Sequence, residues 1–181
     1  MRLFIAADIN IRAKDLIAKK QEILKRELDQ DLNWVKKENW HLTLKFLGDS
    51  TESEKDKLIT ALKEIDYNLN NNYIQFDHLD AFPNQTHPKV LYLAVAKGEK
   101  LLKSIYNKTE NKLLDYDFEA EQRDFIPHLT IARSKNKYPD LNDKLLDKNF
   151  LNIYANIEQI TLYESQLKSD GPEYIELFSI K

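Results

Sequence analysis

The spacing of apolar residues predicts short strands interleaved with amphipathic helices. Apolar positions recur at helical spacing after Asn10, which can cap the first helix, after the capping-box pattern that starts at Thr51, and after Gly98. A short helix is also expected at 141–146, after an exposed lysine-rich loop that ends at Pro139. Apolar runs bounded by polar or turn residues predict strands at 3–7, 32–35, 41–47, 73–76, 90–95, 128–132, 157–163 and 174–180.

The order of these elements predicts an α+β fold with mainly antiparallel sheet. Helices and strands do not alternate in a strict βαβ pattern, and the turn residues at 169–172 join the last two strands as a hairpin. No shift in composition and no linker divides the chain. We therefore expect a single domain over residues 1–181.

Composition narrows the classes of function. Lys and Arg number 27 against 30 Asp and Glu, and this net charge of −3 argues against a broad basic face that coats nucleic acid. A small phosphate-binding pocket is compatible with that charge. The chain has no cysteine, which excludes disulfides, zinc–thiolate sites and thiol nucleophiles. The first apolar run is too short for a signal peptide and no run could span a membrane, so we expect a cytoplasmic protein.

One pattern of histidine, apolar residue, threonine and apolar residue occurs twice, almost half the chain apart. Alternate side chains of a strand share a face, so each copy presents an imidazole and a hydroxyl together and directs its two apolar residues into a core. Two such strands brought together would form a cleft with two imidazoles and two hydroxyls. The two copies are His41-Leu42-Thr43-Leu44 and His128-Leu129-Thr130-Ile131.

Two imidazoles can cleave a phosphodiester without a metal. A neutral His41 or His128 can remove a proton from attacking water while the other, protonated, gives a proton to the leaving oxygen. Thr43 and Thr130 are suitable donors to the phosphoryl oxygens. Arg133 is a candidate charged donor, but strict alternation places it on the face opposite His128, so it joins the site only if the strand ends or bulges near Ala132. The sequence has no histidine or cysteine spacing typical of a zinc site.

Both motifs resemble the signature of the 2H phosphoesterases. Among these, the chain is similar to the RNA 2′,3′-cyclic phosphodiesterases, formerly called 2′-5′ RNA ligases. The similarity covers nearly the whole chain, from the opening strand to the final hairpin. The segments that resemble the family are 3–6, 34–35, 39–48, 81–84, 88–92, 123–133, 162–165 and 171–174.

The resemblance implies a bilobal fold, with two pseudo-symmetric lobes of mainly antiparallel sheet and outer helices around a central cleft. It implies hydrolysis of RNA 2′,3′-cyclic phosphate ends to 2′-phosphates without metal or other cofactor. His41 would be the general acid and His128 the general base, and Thr43, Thr130 and Arg133 would hold the phosphate. The substrate would be an RNA 3′ end or a nucleotide with a cyclic phosphate. We expect a monomer with no obligate protein partner.

Other functions remain open at the level of sequence. The same groups would serve a 2′,5′-phosphodiesterase acting on oligoadenylates or small cyclic nucleotides, and pocket size and base stacking would discriminate. A non-catalytic RNA- or nucleotide-binding module would be marked by loss of one histidine, and both are present.

Several other side chains have both a structural and a functional interpretation. Trp34, Trp40 and Phe82 could stack on a nucleobase, but such aromatic residues more often belong to a core. Arg123 is expected to pair with Glu121 or Asp124. We expect His78 and His87 to be non-catalytic, with His87 near the cleft rim, and the lysines at 36–37 and 135–137 to be mainly solvated.

Overall fold

A computed structural model describes residues 1–28, 32–135, 141, 146–147, 150–169 and 171–181. Every strand pairing among these residues is antiparallel, in the order β2-β6-β5-β4-β7-β1-β3 with β8 also paired to β7. The strands are β1 (Arg2–Ile9), β2 (Leu32–Trp34), β3 (Leu42–Asp49), β4 (Tyr73–Phe82), β5 (Val90–Lys97), β6 (His128–Ser134), β7 (Ile153–Lys168) and β8 (Gly171–Ile180). The helices are α1 (Ile11–Glu27), α2 (Glu52–Lys63) and α3 (Glu99–Leu114), with 3-10 turns at Lys37–Asn39 and Leu69–Asn71.

Local sequence signals explain where α2 and α3 begin, but the predicted cap of α1 is absent. The predicted capping box of α2 is present, because Thr51 accepts from the backbone N–H of Glu54 at 3.2 Å and its own N–H donates to the Glu54 carboxylate at 2.7 Å. α3 follows Gly98, whose φ of +86° requires glycine, and a Cβ there would lie 2.6 Å from the Ile74 side chain. The Asn10 side chain does not cap α1, since its Oδ1 accepts from the backbone N–H of Asn156 instead.

The long strand β7 joins the two halves of the sheet. Its first residues pair with β4, and its later residues pair with β1 and with β8. One half therefore contains β3, β1 and β8, and the other contains β2, β6, β5 and β4. This is the α+β fold with antiparallel lobes that the sequence predicts, and the two motif strands, β3 and β6, lie in different halves.

Alternation along each strand separates a core face from a cleft face. On β1, Leu3 and Ile5 belong to the apolar core, whereas Phe4 faces the ring of His41 at 4.9 Å. The apolar residues of both motifs are buried as predicted. These are Leu42, Leu44, Leu129 and Ile131.

Each motif strand contains a β-bulge at the last residue of its motif. On β3, Ile5 pairs with Lys45 while Ala6 pairs with Thr43, which leaves Leu44 as an extra residue. On β6, the pairing with β5 likewise leaves Ile131 as the extra residue. A bulge reverses the alternation beyond it. Residues five positions after each histidine therefore return to the cleft face.

The strand bounds differ from the prediction at several ends. β4 extends to Phe82, beyond the predicted end at residue 76, and residues 83–89, which follow the cis bond between Phe82 and Pro83, form no strand. β7 begins at Ile153 and ends at Lys168, beyond both ends of the predicted strand. The predicted loop up to Pro139 and the predicted helix at 141–146 fall largely outside the described residues.

Candidate active site

A cleft of about 510 Å³ lies between the two motif strands. Its walls include all five side chains that the sequence singles out, namely His41, Thr43, His128, Thr130 and Arg133. The remaining lining comes from β2 and the turn after it, from Phe46, and from the β7–β8 hairpin. The structure thus brings the two halves of the duplicated pattern into one cavity.

The two imidazoles are held in the same way. His41 Nδ1 lies 2.8 Å from the carbonyl of Asn39, and His128 Nδ1 lies 2.7 Å from the carbonyl of Ile126. A carbonyl can only accept, so Nδ1 carries the proton in both rings. The neutral ring then has its lone pair on Nε2, and His41 Nε2 accepts from the Thr43 hydroxyl at 3.0 Å. Each histidine can therefore exchange a proton at Nε2.

Aromatic rings surround each histidine. Phe4 and Tyr174 lie 4.9 and 5.3 Å from the ring of His41. Phe82 and Tyr92 lie 5.0 and 5.2 Å from the ring of His128. In each half, a tyrosine hydroxyl next to these rings donates to an aspartate. Tyr163, which stacks on Phe4, donates to the buried Asp8, and Tyr92 donates to the half-buried Asp80.

This apolar surrounding lowers the pKa of both histidines. Burial holds the pKa of His41 at about 4, against an ordinary value of 6.5, with smaller contributions in the same direction from Lys14, His128 and Arg133. Burial also lowers the pKa of His128, and Arg133 adds to the effect. The carbonyl at each Nδ1 opposes the shift because it stabilises the charged ring. Both rings are consequently neutral near pH 7.

Arg133 reaches the cleft because of the bulge at Ile131. The sequence left its face undecided, and the bulge supplies the condition under which it joins His128 and Thr130. Phe46 occupies the equivalent place on β3, five residues after His41, and is 61% exposed. Sequence reasoning missed Phe46, although its spacing matches that of Arg133.

The other aromatic candidates divide between cleft and core. Trp34 is half-buried and lines the cleft. Trp40 is 1% exposed and belongs to the core, so it cannot stack on a ligand. Phe82 packs against His128 and Tyr92.

Of the charged and histidine candidates outside the motifs, Lys36 is exposed and lines the cleft, whereas Arg123, His78 and His87 do not line it. Arg123 is outside it and pairs with Glu121 at 3.1 Å, as predicted. His78 pairs with Asp77, and His87 is also absent from the cleft walls. Among the residues described, no three histidine, aspartate or glutamate side chains lie close enough together to hold a metal ion. No helix in the described ranges is long and apolar enough to cross a bilayer.

The β7–β8 hairpin closes one side of the cleft. Ser169, Gly171, Pro172 and Tyr174 line the cavity, and the Asn39 side chain donates to the Pro172 carbonyl at 2.8 Å. Asn39 therefore contacts the hairpin through its amide and His41 through its carbonyl. The sequence predicted the hairpin but not this contact, which depends on tertiary structure.

Comparison with known proteins agrees with this geometry. The profile of the LigT-like phosphoesterases matches residues 10–92. The RNA 2′,3′-cyclic phosphodiesterase of Methanocaldococcus jannaschii is 35% identical over 96% of both chains. The chain belongs to the LigT-like phosphoesterase family. The RNA 2′,3′-cyclic phosphodiesterase of Thermotoga maritima is 32% identical and covers 98% of this chain and 94% of its own.

Solved structures share the fold of this phosphoesterase. E. coli LigT, crystallised with 3′-AMP, superposes with a TM-score of 0.76 over 99% of this chain and 96% of its own, at 20% identity. A second phosphoesterase structure gives a TM-score of 0.77 with the same coverage and identity. The bilobal α+β fold expected from the sequence is therefore confirmed.

Proposed function

We propose that this phosphoesterase hydrolyses RNA 2′,3′-cyclic phosphate ends to 2′-phosphates, using His41 and His128 as an acid–base pair. The observation that supports this most strongly is the matched orientation of the two rings. Each has Nδ1 on a backbone carbonyl and Nε2 available at the same cavity. The activity named for the relatives is of the same kind.

The proposed step follows from an in-line displacement at phosphorus. Water attacks the phosphorus while His128 Nε2 removes its proton. The bond between phosphorus and the ribose 3′ oxygen breaks, and His41 Nε2–H gives its proton to that oxygen. The products are a 2′-phosphate and a free 3′ hydroxyl. His128 then releases the proton that it gained and His41 regains the proton that it lost, by exchange with solvent.

The cleft offers donors for the phosphate and a surface for the nucleoside. Thr43, Thr130 and Arg133 can donate to the phosphoryl oxygens, on which negative charge grows during attack. The exposed face of Phe46 and the half-buried Trp34 offer aromatic surface for a base. The mechanism requires no metal or other cofactor.

Substrate binding sets the protonation state that the mechanism needs. Both pKa values are lowered by burial, so a proton must be gained before His41 can act as an acid. A bound phosphodiester is an anion, and a nearby anion favours the charged form of a histidine. The substrate therefore promotes the imidazolium that donates the proton.

The test uses a short RNA ending in a 2′,3′-cyclic phosphate, incubated with the protein in excess chelator. His41→Ala and His128→Ala are compared with the parent, and His87→Ala is the matched control outside the cleft. Phosphorus NMR assigns the phosphate position in the product. We expect the parent and the control alone to form the 2′-phosphate.

Three other outcomes would contradict the proposed activity or its metal independence. No conversion by folded parent protein would contradict the proposal, and 2′,5′-linked oligoadenylates and small cyclic nucleotides would be the next substrates. Binding of the RNA without turnover of any of these would indicate a binding module. Loss of turnover in chelator, restored by a divalent cation, would contradict metal independence.

We further propose that the whole chain acts as one domain and as a monomer in the cytoplasm. Both histidine motifs of one chain line the same cleft, so a single copy holds the proposed acid and base. Light scattering at the concentration used for turnover tests the monomer, and a dimer there would contradict it.

A further inference from the structure

The segment between α3 and β6 determines where His128 lies. Residues 118–127 form neither helix nor strand, yet the Ile126 carbonyl is the acceptor that orients the His128 ring. A segment without regular hydrogen bonding needs other attachments to hold a catalytic group in place. The structure provides two of these, and α3 contributes a side chain to each.

The first attachment is a buried ion pair. Lys45 Nζ lies 2.7 Å from Glu110 Oε1, and the two side chains are only 6% and 11% exposed. Lys45 also donates to the carbonyl of Glu119 at 2.7 Å, and the second oxygen of Glu110 accepts from the N–H of Glu121 at 3.0 Å. Each partner of the pair thus binds the backbone of the segment.

The second attachment lies one helical turn earlier. Phe125 stacks on Tyr106 with ring centroids 4.4 Å apart and planes nearly parallel. Tyr106 and Glu110 are four residues apart on α3, so they share one face of the helix. This face contacts the segment both near its beginning and directly before Ile126.

Lys45 connects this attachment to the first motif. It follows Thr43 by two residues on β3, where strict alternation would direct it to the cleft. The bulge at Leu44 turns it to the core side, opposite Ile5, where Glu110 lies. One lysine on the strand after His41 therefore contacts the backbone that leads to His128.

We propose that the Lys45–Glu110 ion pair is a positioning element that fixes the His128 imidazole relative to the strand of His41 and Thr43. The pair touches neither the cleft nor the reacting atoms and acts through the backbone of residues 119–126. The inference rests on the proposed two-histidine function for its effect on turnover. Its effect on the His128 ring is independent of that function.

The main test replaces both charges with apolar side chains, as Lys45→Met together with Glu110→Met. Apolar replacement of a whole buried ion pair is often tolerated, whereas loss of one partner leaves an unpaired buried charge. We expect a folded variant whose kcat on the cyclic-phosphate RNA falls at least tenfold while KM changes less than threefold. Lys45→Arg keeps the donors and should retain kcat within threefold of the parent.

The matched control removes another ion pair of α3, with Lys112→Met and Glu64→Met. This pair joins Lys112 of α3 to Glu64, the residue after α2, at 3.3 Å, and neither side chain hydrogen-bonds residues 118–127. We expect its kcat to equal that of the parent. A fall in kcat equal to that of the Lys45–Glu110 variant would mean that any weakening of α3 is sufficient, and would overturn the proposal.

The histidine NMR titration of His128 gives a readout that does not require turnover. In the Lys45–Glu110 variant we expect the pKa of His128 to move from its lowered value toward the ordinary one, because the ring is no longer held among Phe82 and Tyr92. An unchanged His128 titration and unchanged kcat in the folded variant would overturn the proposal. Failure of the parent to hydrolyse the RNA would instead contradict the proposed function and leave this readout intact.

A second variant applies if the double substitution does not fold. Glu110→Gln keeps the shape of the side chain but offers one acceptor oxygen where the carboxylate offers two. Either Lys45 or the N–H of Glu121 then loses its partner. We expect a three- to tenfold fall in kcat. The pKa of His128 should move in the same direction as in the double variant, but by less. No change in kcat and no change in this pKa would overturn the proposal.

Discussion

At the scale of single residues, the proposed catalysis depends on the environment of two imidazoles. Each ring is tied at Nδ1 by a carbonyl two residues earlier and is surrounded by aromatic side chains. The carbonyls fix the tautomer, and the burial lowers both pKa values. These two effects give predictions for the pH dependence and for the separate roles of His41 and His128.

The pH profile of kcat/KM reports the free protein, in which one imidazole must be charged and the other neutral. Because the pKa of His41 is about 4 and that of His128 is below 6.5, we expect a bell with both limbs below pH 6.5. The kcat profile should lie at higher pH, since the bound phosphate raises both pKa values. Initial rates in chelator measure both profiles, and a kcat/KM bell centred above pH 7 would contradict this environment.

The roles of the two histidines can be separated by the leaving group. The 3′ oxygen of ribose needs a proton, whereas 4-nitrophenolate leaves without one. His41→Ala should lose about 10²- to 10⁴-fold on the cyclic RNA end but less than about tenfold on bis(4-nitrophenyl) phosphate. His128→Ala should lose activity on both. The opposite pattern would exchange the assigned roles of acid and base.

At the scale of elements, two bulges and one hairpin shape the cleft. The sequence predicts β3 and β6 and the burial of their apolar residues, because alternation is a local property. It leaves Arg133 undecided and misses Phe46, because the bulges at Leu44 and Ile131 depend on pairing with β1 and β5. The equal five-residue spacing from each histidine was the signal available for Phe46.

The hairpin contact gives a prediction at this scale. Asn39→Ala removes the hydrogen bond to the Pro172 carbonyl but keeps the backbone carbonyl that holds His41. Loss of this hydrogen bond should weaken substrate binding by about 0.5–1.5 kcal/mol. This corresponds to a KM raised about two- to tenfold, with kcat unchanged. Steady-state kinetics measure both, and Asn70→Ala is a matched control at a remote surface amide. A fall in kcat at constant KM would instead mean that the Asn39 side chain acts by positioning His41.

At the scale of the whole molecule, the helix starts and the central strands are predictable, but the ends of the long strands are not. The capping box at Thr51 and the glycine at Gly98 act locally, and the structure confirms both. β7 is 16 residues long because it pairs with β4, then with β1 and β8. Such pairing is a tertiary property that strand propensity does not contain.

The net charge of −3 and the size of the cleft predict recognition limited to the RNA terminus. Nonspecific binding along an RNA chain needs many basic contacts, each of which contributes a salt dependence of about 0.7 in logarithmic slope. We expect KM to change less than about threefold between a dinucleotide and a 20-mer. The logarithm of KM should rise with the logarithm of the salt concentration with a slope of about 0.7, as expected for contact with one phosphate. KM values measured across RNA lengths and salt concentrations test this, and an affinity that grows steadily with length would contradict it.

We propose that His41 and His128 act as one catalytic unit. The most direct measurement is kcat on a 2′,3′-cyclic phosphate RNA for the parent, His41→Ala, His128→Ala and the double variant. Groups that act together are not additive, so each single variant should lose about 10²- to 10⁴-fold and the double variant should lose little more. Losses that multiply in the double variant, or a single variant that keeps the parent rate, would contradict the account.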